Sequence, residues 1–101
     1  MHVIEIFLPL ADNEGRPFSG ELWSRVREGL IAQFGGITAF TRSPAEGLWE
    51  GEDGRSHDRI IVMEVMSDYL DRAWWGRFRK QLEADFRQDE IVVRAREVER
   101  L

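Results

Sequence analysis

Gly36-Ile37-Thr38-Ala39-Phe40-Thr41-Arg42 and Asp58-Arg59-Ile60-Ile61-Val62-Met63-Glu64-Val65-Met66 decide how this chain is read. Both runs carry the β-branched and apolar residues of strands. Only a turn-rich tip separates them: Ser43-Pro44-Ala45-Glu46-Gly47-Leu48-Trp49-Glu50-Gly51-Glu52-Asp53-Gly54-Arg55-Ser56-His57. Asp53-Gly54 is a good hairpin turn signal. Together they predict a long β-hairpin over Gly36 to Met66. Its tip is long for a hairpin, so it is either a bent extension of the two strands or a functional loop. In the first case Leu48-Trp49-Glu50 pairs back against Arg55-Ser56-His57 as an arm.

A strand and a helix precede the hairpin. His2 to Leu10 alternates, with Ile4, Ile6 and Leu8 on one face and Val3, Glu5 and Phe7 on the other. The following stretch to Pro17 is turn-rich. A helix is expected from Ser19, whose hydroxyl can cap a free backbone N–H while Phe18 staples onto Trp23. Trp23, Val26, Leu30 and Phe34 form its apolar stripe, with Leu22 beside it. Gly35 and Gly36 end it.

A helix and a strand follow. The second helix is expected from Ser67 or Asp68 to about Phe86 or Arg87, with Trp75, Phe78, Leu82 and Phe86 as its stripe and Leu70 and Trp74 beside it. Glu90 to Val98 reads as the last strand. The two stripes repeat at identical spacing, Trp23, Val26, Leu30 and Phe34 against Trp75, Phe78, Leu82 and Phe86. Both helices therefore present similar faces to similar surfaces.

The order β-α-β-β-α-β with right-handed crossovers predicts the ferredoxin-like α+β fold. Its four-stranded antiparallel sheet would have the order 4-1-3-2, with two helices on one face. The 101 residues would form a single domain, 1–101.

Composition removes several classes of function. There is no cysteine, which excludes disulfides, thiolate catalysis and cysteine-ligated metals. Two histidines without helical pairing leave a transition-metal site weakly supported, and Glu50, Glu52 and Asp53 lack the spacing of a calcium loop. The reading is no metal and no cofactor. A net charge of −5 opposes phosphate-backbone binding. The run Asp58 to Glu64 also lacks the stacking aromatics that an RNA-binding sheet of this topology would carry. No apolar run approaches a membrane span. Glu5 and Pro9 interrupt the first apolar stretch, so no signal peptide is expected and the location predicted is cytoplasmic.

The helices can cover one sheet face only. A carboxylate beneath two apolar helices would be costly, so Glu5 and Glu64 should point away from them. That rule puts Val3, Glu5, Phe7, Ile60, Val62, Glu64, Met66, Val92, Arg94, Arg96 and Val98 on the far face. Arg42 joins by the same logic, with Thr38 and Phe40. Ile4, Ile6, Leu8, Ile61, Met63, Val65, Ile91 and Val93 go under the helices. A far face so apolar normally meets a partner. The simplest is a second copy about a two-fold axis; the alternative is a monomer whose own arm, Leu48 and Trp49 included, covers the patch.

The strand-helix order, the Phe34-Gly35-Gly36-Ile37-Thr38 step and the Gly47-Leu48-Trp49 segment before an apolar strand carry a resemblance. The chain resembles the small bacterial ferredoxin-like proteins that dimerise through their sheets as α/β barrels, uncharacterised families among them. Characterised members include cofactor-free monooxygenases, heme-handling enzymes, isomerases and ligand-binding domains, so the resemblance implies a fold and a homodimer rather than one activity.

Two functional expectations follow. The first is a homodimeric domain binding a small molecule between the sheet and the hairpin arm, with Trp49, Arg42 and Arg94 as ligand-binding candidates. The second is a small cofactor-independent enzyme. In it His57, oriented by Asp58, or Glu64 and Glu5 would do acid–base work, with Arg42 or Arg94 holding an anionic substrate. Beside these stands a plainer reading, in which Glu5, Glu64 and Arg94 are ion pairs at a dimer interface and His57 is a surface residue.

Overall fold

The computed structural model describes residues 1–36, 38–42 and 60–101, the side chains of 38–42 excepted. The elements run β1 (His2–Pro9), α1 (Gly20–Phe34), β2 (Thr38–Arg42), β3 (Ile60–Ser67), α2 (Arg72–Asp85) and β4 (Val93–Glu97).

The first strand, rather than the hairpin, organises the sheet. β1 pairs antiparallel with β3 over its whole length, from His2 opposite Ser67 to Pro9 opposite Ile60. On its other side it pairs antiparallel with β4, from His2 opposite Glu97 to Ile6 opposite Val93. β1 and β3 supply Ile4, Ile6, Leu8, Met63 and Val65 to the core, and Val93 of β4 packs against it. β2 adds a five-residue rung to the outer edge of β3, from Thr38 opposite Glu64 to Arg42 opposite Ile60. With β2 included, the hydrogen-bonded order is β2-β3-β1-β4. The expectation of a ferredoxin-like four-stranded antiparallel sheet, order 4-1-3-2 with two helices on one face, is corrected here. The body is a three-stranded antiparallel α+β layer with two helices, and β2 is a short edge addition.

The core lies between that layer and the helices. Ile4, Ile6, Leu8, Met63, Val65 and Ile91 meet Leu22, Val26 and Leu30 of α1 and Trp75, Leu82 and Phe86 on the α2 side. Ile61 and Val93 pack against the same cluster. Period-two alternation selects one face of each strand for this contact.

Local chemistry sets the helix ends. Ser19 Oγ accepts the Leu22 N–H at 3.2 Å, and Phe18 meets the Trp23 ring edge-on at 6.4 Å between centroids. Gly35 closes α1 in the left-handed region (φ 81°), where its N–H donates to the Ile31 carbonyl. The second helix starts later than Ser67 or Asp68. The β1–β3 ladder runs on through Ser67, whose Oγ donates to the Tyr69 carbonyl. Asp71 is the cap and accepts the Trp74 N–H at 3.0 Å. β4 also starts later than Glu90, because Glu83 Oε2 accepts the Ile91 N–H at 2.9 Å and holds the incoming chain to α2.

Candidate functional site

The sheet face away from the helices carries a charged cluster centred on Glu5. Alternation along β1 sends this carboxylate opposite to Ile4 and Ile6, into a row with Glu64 on β3 and Arg94 on β4. Glu5 is the one buried charged residue among those described, at 6% exposure. Burial of an ion demands a partner. Arg94 Nε donates to Glu5 Oε1 at 3.0 Å, and Arg96 Nε stands 4.0 Å from the same oxygen. The Arg94 guanidinium also lies over the Phe7 ring, 4.8 Å from its centroid, where the ring's negative face attracts it.

Apolar groups surround this cluster unevenly. Val3 and Val62 are buried, whereas Met66 and Val92 are about half exposed. Arg94 and Arg96 are exposed, and Glu64 is half-buried.

Of the residues singled out in the sequence, the structure brings together Glu5, Glu64 and Arg94. The Glu5–Glu64 juxtaposition is a register fact. The contacts of Glu5 are with arginine, so the geometry favours the ion-pair arrangement over two carboxylates sharing a proton. Arg42 lies in β2 opposite Ile60; its side chain lies outside the described residues, as do Trp49 and His57. Two members of the cluster had not been singled out as candidates: Arg96, which doubles the positive charge near Glu5, and Phe7, which supports Arg94. The signal for both was the alternation Val92-Arg94-Arg96 beside Val3-Glu5-Phe7.

The helix side has its own features. A shallow groove of about 260 Å³ on α2 is lined by Trp74, Arg77, Phe78 and Gln81. Behind it the aromatic rings interlock: Trp74 stacks on Phe78 at 4.8 Å and Phe34 on Trp75 at 5.1 Å. This groove is on the opposite side of the sheet from Glu5. Among the described residues no group of three or more acidic or histidine side chains could hold a metal ion. No helix there is long and apolar enough to cross a membrane.

No family model matches the chain, and no curated protein matches it. Among solved structures, a phage SAM lyase in complex with S-methyl-5'-thioadenosine is similar. The TM-score is 0.60 at 16% identity, over 95% of this chain and 80% of the lyase chain. At that identity the likeness defines a class of fold: a small α+β protein with two helices packed on an antiparallel sheet. The particular protein it is similar to is an enzyme with a small-molecule ligand, and that property belongs to the lyase.

Proposed function

We propose that this chain is a homodimeric small-molecule-binding domain whose working surface is the sheet face holding Glu5, Arg94 and Arg96. The observation that carries the reading is Glu5 itself. A carboxylate at 6% exposure on a face without helices, held by two exposed arginines, is costly unless it has a task. Exposed Met66 and Val92 flank it and supply apolar area for the second copy. The arginines keep N–H groups for an anionic or hydroxyl-bearing ligand, since Arg94 uses its Nε on Glu5.

The lyase's bound nucleoside thioether gives a first ligand to try. Titration calorimetry of the chain with S-methyl-5'-thioadenosine tests the reading, with Arg94→Ala and Arg96→Ala alongside. Saturable binding that both substitutions weaken supports it. No heat with this probe and with a panel of nucleosides and small carboxylates removes the ligand-binding half.

A second reading is a small cofactor-independent enzyme working through the same cluster. Glu64 opposite Glu5 favours it, because a second carboxylate one strand away could exchange a proton with a bound substrate. In that case Glu64→Gln abolishes turnover and leaves ligand affinity within a few-fold, whereas a binding domain shows no turnover to lose.

A further inference from the structure

A row of chemistry-bearing side chains crosses the sheet at the other end of β1, on its helix-side face. His2 on the middle strand is opposite Ser67 of β3 and opposite Glu97 of β4. All three share the parity of the core-facing residues Ile4, Val65 and Val93, so they stand on one face. We propose that Ser67, His2 and Glu97 form a nucleophile–base–carboxylate relay that cleaves small carboxylic esters.

The imidazole is set for this role. Its Nε2 lies 3.7 Å from Oε1 of the exposed Glu97, farther than a hydrogen bond. Its Nδ1 is buried and has no hydrogen-bond partner among the described residues. A buried ring nitrogen without a hydrogen bond is destabilising, so its retention calls for a use. The backbone around it is fixed: β1 is laddered on both sides, and the Val98 N–H donates to the Met1 carbonyl at 2.9 Å.

Ser67 completes the row. Directly opposed residues of antiparallel strands have Cβ atoms about 5 Å apart. The register therefore puts the Ser67 hydroxyl and Nδ1, the ring nitrogen nearer the backbone, on neighbouring strands and on one face. At rest the hydroxyl donates to the Tyr69 carbonyl at 2.6 Å. The relay requires a χ1 rotation that gives up that acceptor and turns the hydroxyl toward Nδ1.

The chemistry balances with ester and water alone. Ser67 Oγ forms a bond to the carbonyl carbon as its proton passes to His2 Nδ1. The carbon–oxygen bond to the alcohol breaks, and the alcohol leaves with that proton. Water then attacks the acyl-serine, again giving its proton to Nδ1, and Ser67 is restored as the acid departs. Ser67 and His2 are catalytic residues here. Glu97 is a positioning residue that orients the imidazole and stabilises its cation.

The full chain is treated with a fluorophosphonate, which loses fluoride to an activated serine, and the adduct is located by peptide mass mapping. Hydrolysis of p-nitrophenyl acetate is followed in parallel. The expected result is one adduct per folded chain, on Ser67, absent after denaturation. His2→Gln slows labelling on the order of a hundredfold. Glu97→Gln lowers the maximal labelling rate without changing probe affinity, and Glu97→Asp restores part of it. An unmodified Ser67, or labelling as fast in His2→Gln as in the parent chain, overturns the proposal. The map on the unsubstituted chain decides even where Ser67→Ala fails to fold.

Discussion

Arg94 Nε lies 3.0 Å from Glu5 Oε1, across the ladder that joins the middle strand to the edge strand β4. One partner is almost wholly buried and the other is more than half exposed. The asymmetry decides what the pair is worth. The buried carboxylate needs the guanidinium, while the guanidinium would be content in water.

Removing the arginine should therefore cost stability through Glu5. Arg94→Ala is expected to lower the unfolding free energy by about 1–2 kcal/mol, below the figure for a fully buried pair because water and Arg96 compensate in part. Adding Glu5→Gln to Arg94→Ala should recover part of that loss. Urea denaturation of the single and double variants measures both, and full additivity would show that the two residues are energetically independent.

Glu83 ties α2 to the start of β4. Its Oε2 accepts both the Ile91 N–H and an Arg79 N–H at 2.9 Å. Glu83→Ala leaves a half-buried backbone N–H without its partner and should cost about 1–3 kcal/mol. Faster hydrogen exchange at the Ile91 amide would be the local sign; an unchanged rate would mean that the bond is not held in solution.

The start of α2 gives a paired test. Asp71 caps the helix through the Trp74 N–H, and Asp68 makes no such bond among the described residues. Asp71→Ala should cost about 1 kcal/mol, and Asp68→Ala should stay within about 0.5 kcal/mol. Thermal melts of the two variants separate the cap observed from the cap expected at Ser67 or Asp68.

Asp12 supplies the acid dependence. The Arg16 backbone N–H donates to its carboxylate, which lowers its pKa below the ordinary carboxyl value of 3.8. Burial opposes this, and the Glu14 N–H and the charges of Arg16 and Arg87 add to it. A carboxyl depressed by folding stabilises the fold above its unfolded pKa, and that contribution disappears as pH falls through the folded value. Melting temperatures measured from neutral pH to below about pH 4 should fall less steeply for Asp12→Asn than for the parent chain. Equal slopes would show that the turn is not formed as described.

The core offers the largest single effect. Leu30 is fully buried between α1 and the sheet. Leu30→Ala should cost about 3 kcal/mol, the usual result for a cavity at a site packed on all sides. A loss under 1 kcal/mol would mean that α1 is not seated on the sheet.

Much of this architecture can be read directly from residue spacing. Ser19, Phe18 and Gly35 define α1 because capping, stapling and left-handed closure are local devices. The inward residues of three strands follow from alternation alone. Other features depend on contacts distant in sequence. Ser67 and Asp68 carry capping side chains, yet the ladder to His2 keeps Ser67 extended and moves the cap to Asp71. Glu90 looks like strand, yet Glu83 captures the Ile91 N–H and β4 begins at Val93. The β-α-β-β-α-β order already places β1 between β3 and β4, but how far each ladder extends is a matter of register that the order does not carry. Glu5 and Arg94 were legible as far-face residues. Arg96 and Phe7 were legible on the same face by alternation; that Arg96 approaches Glu5 and that Phe7 lies under Arg94 needed the register between β1 and β4.

Light scattering of the purified chain over a wide concentration range tests the central claim most directly, that the Glu5 face is covered by a second copy. The account predicts the mass of two chains at all but the lowest concentrations, reverting to one chain when Met66 and Val92 are both replaced by aspartate. A single-chain mass throughout, or a dimer indifferent to those two substitutions, would contradict it.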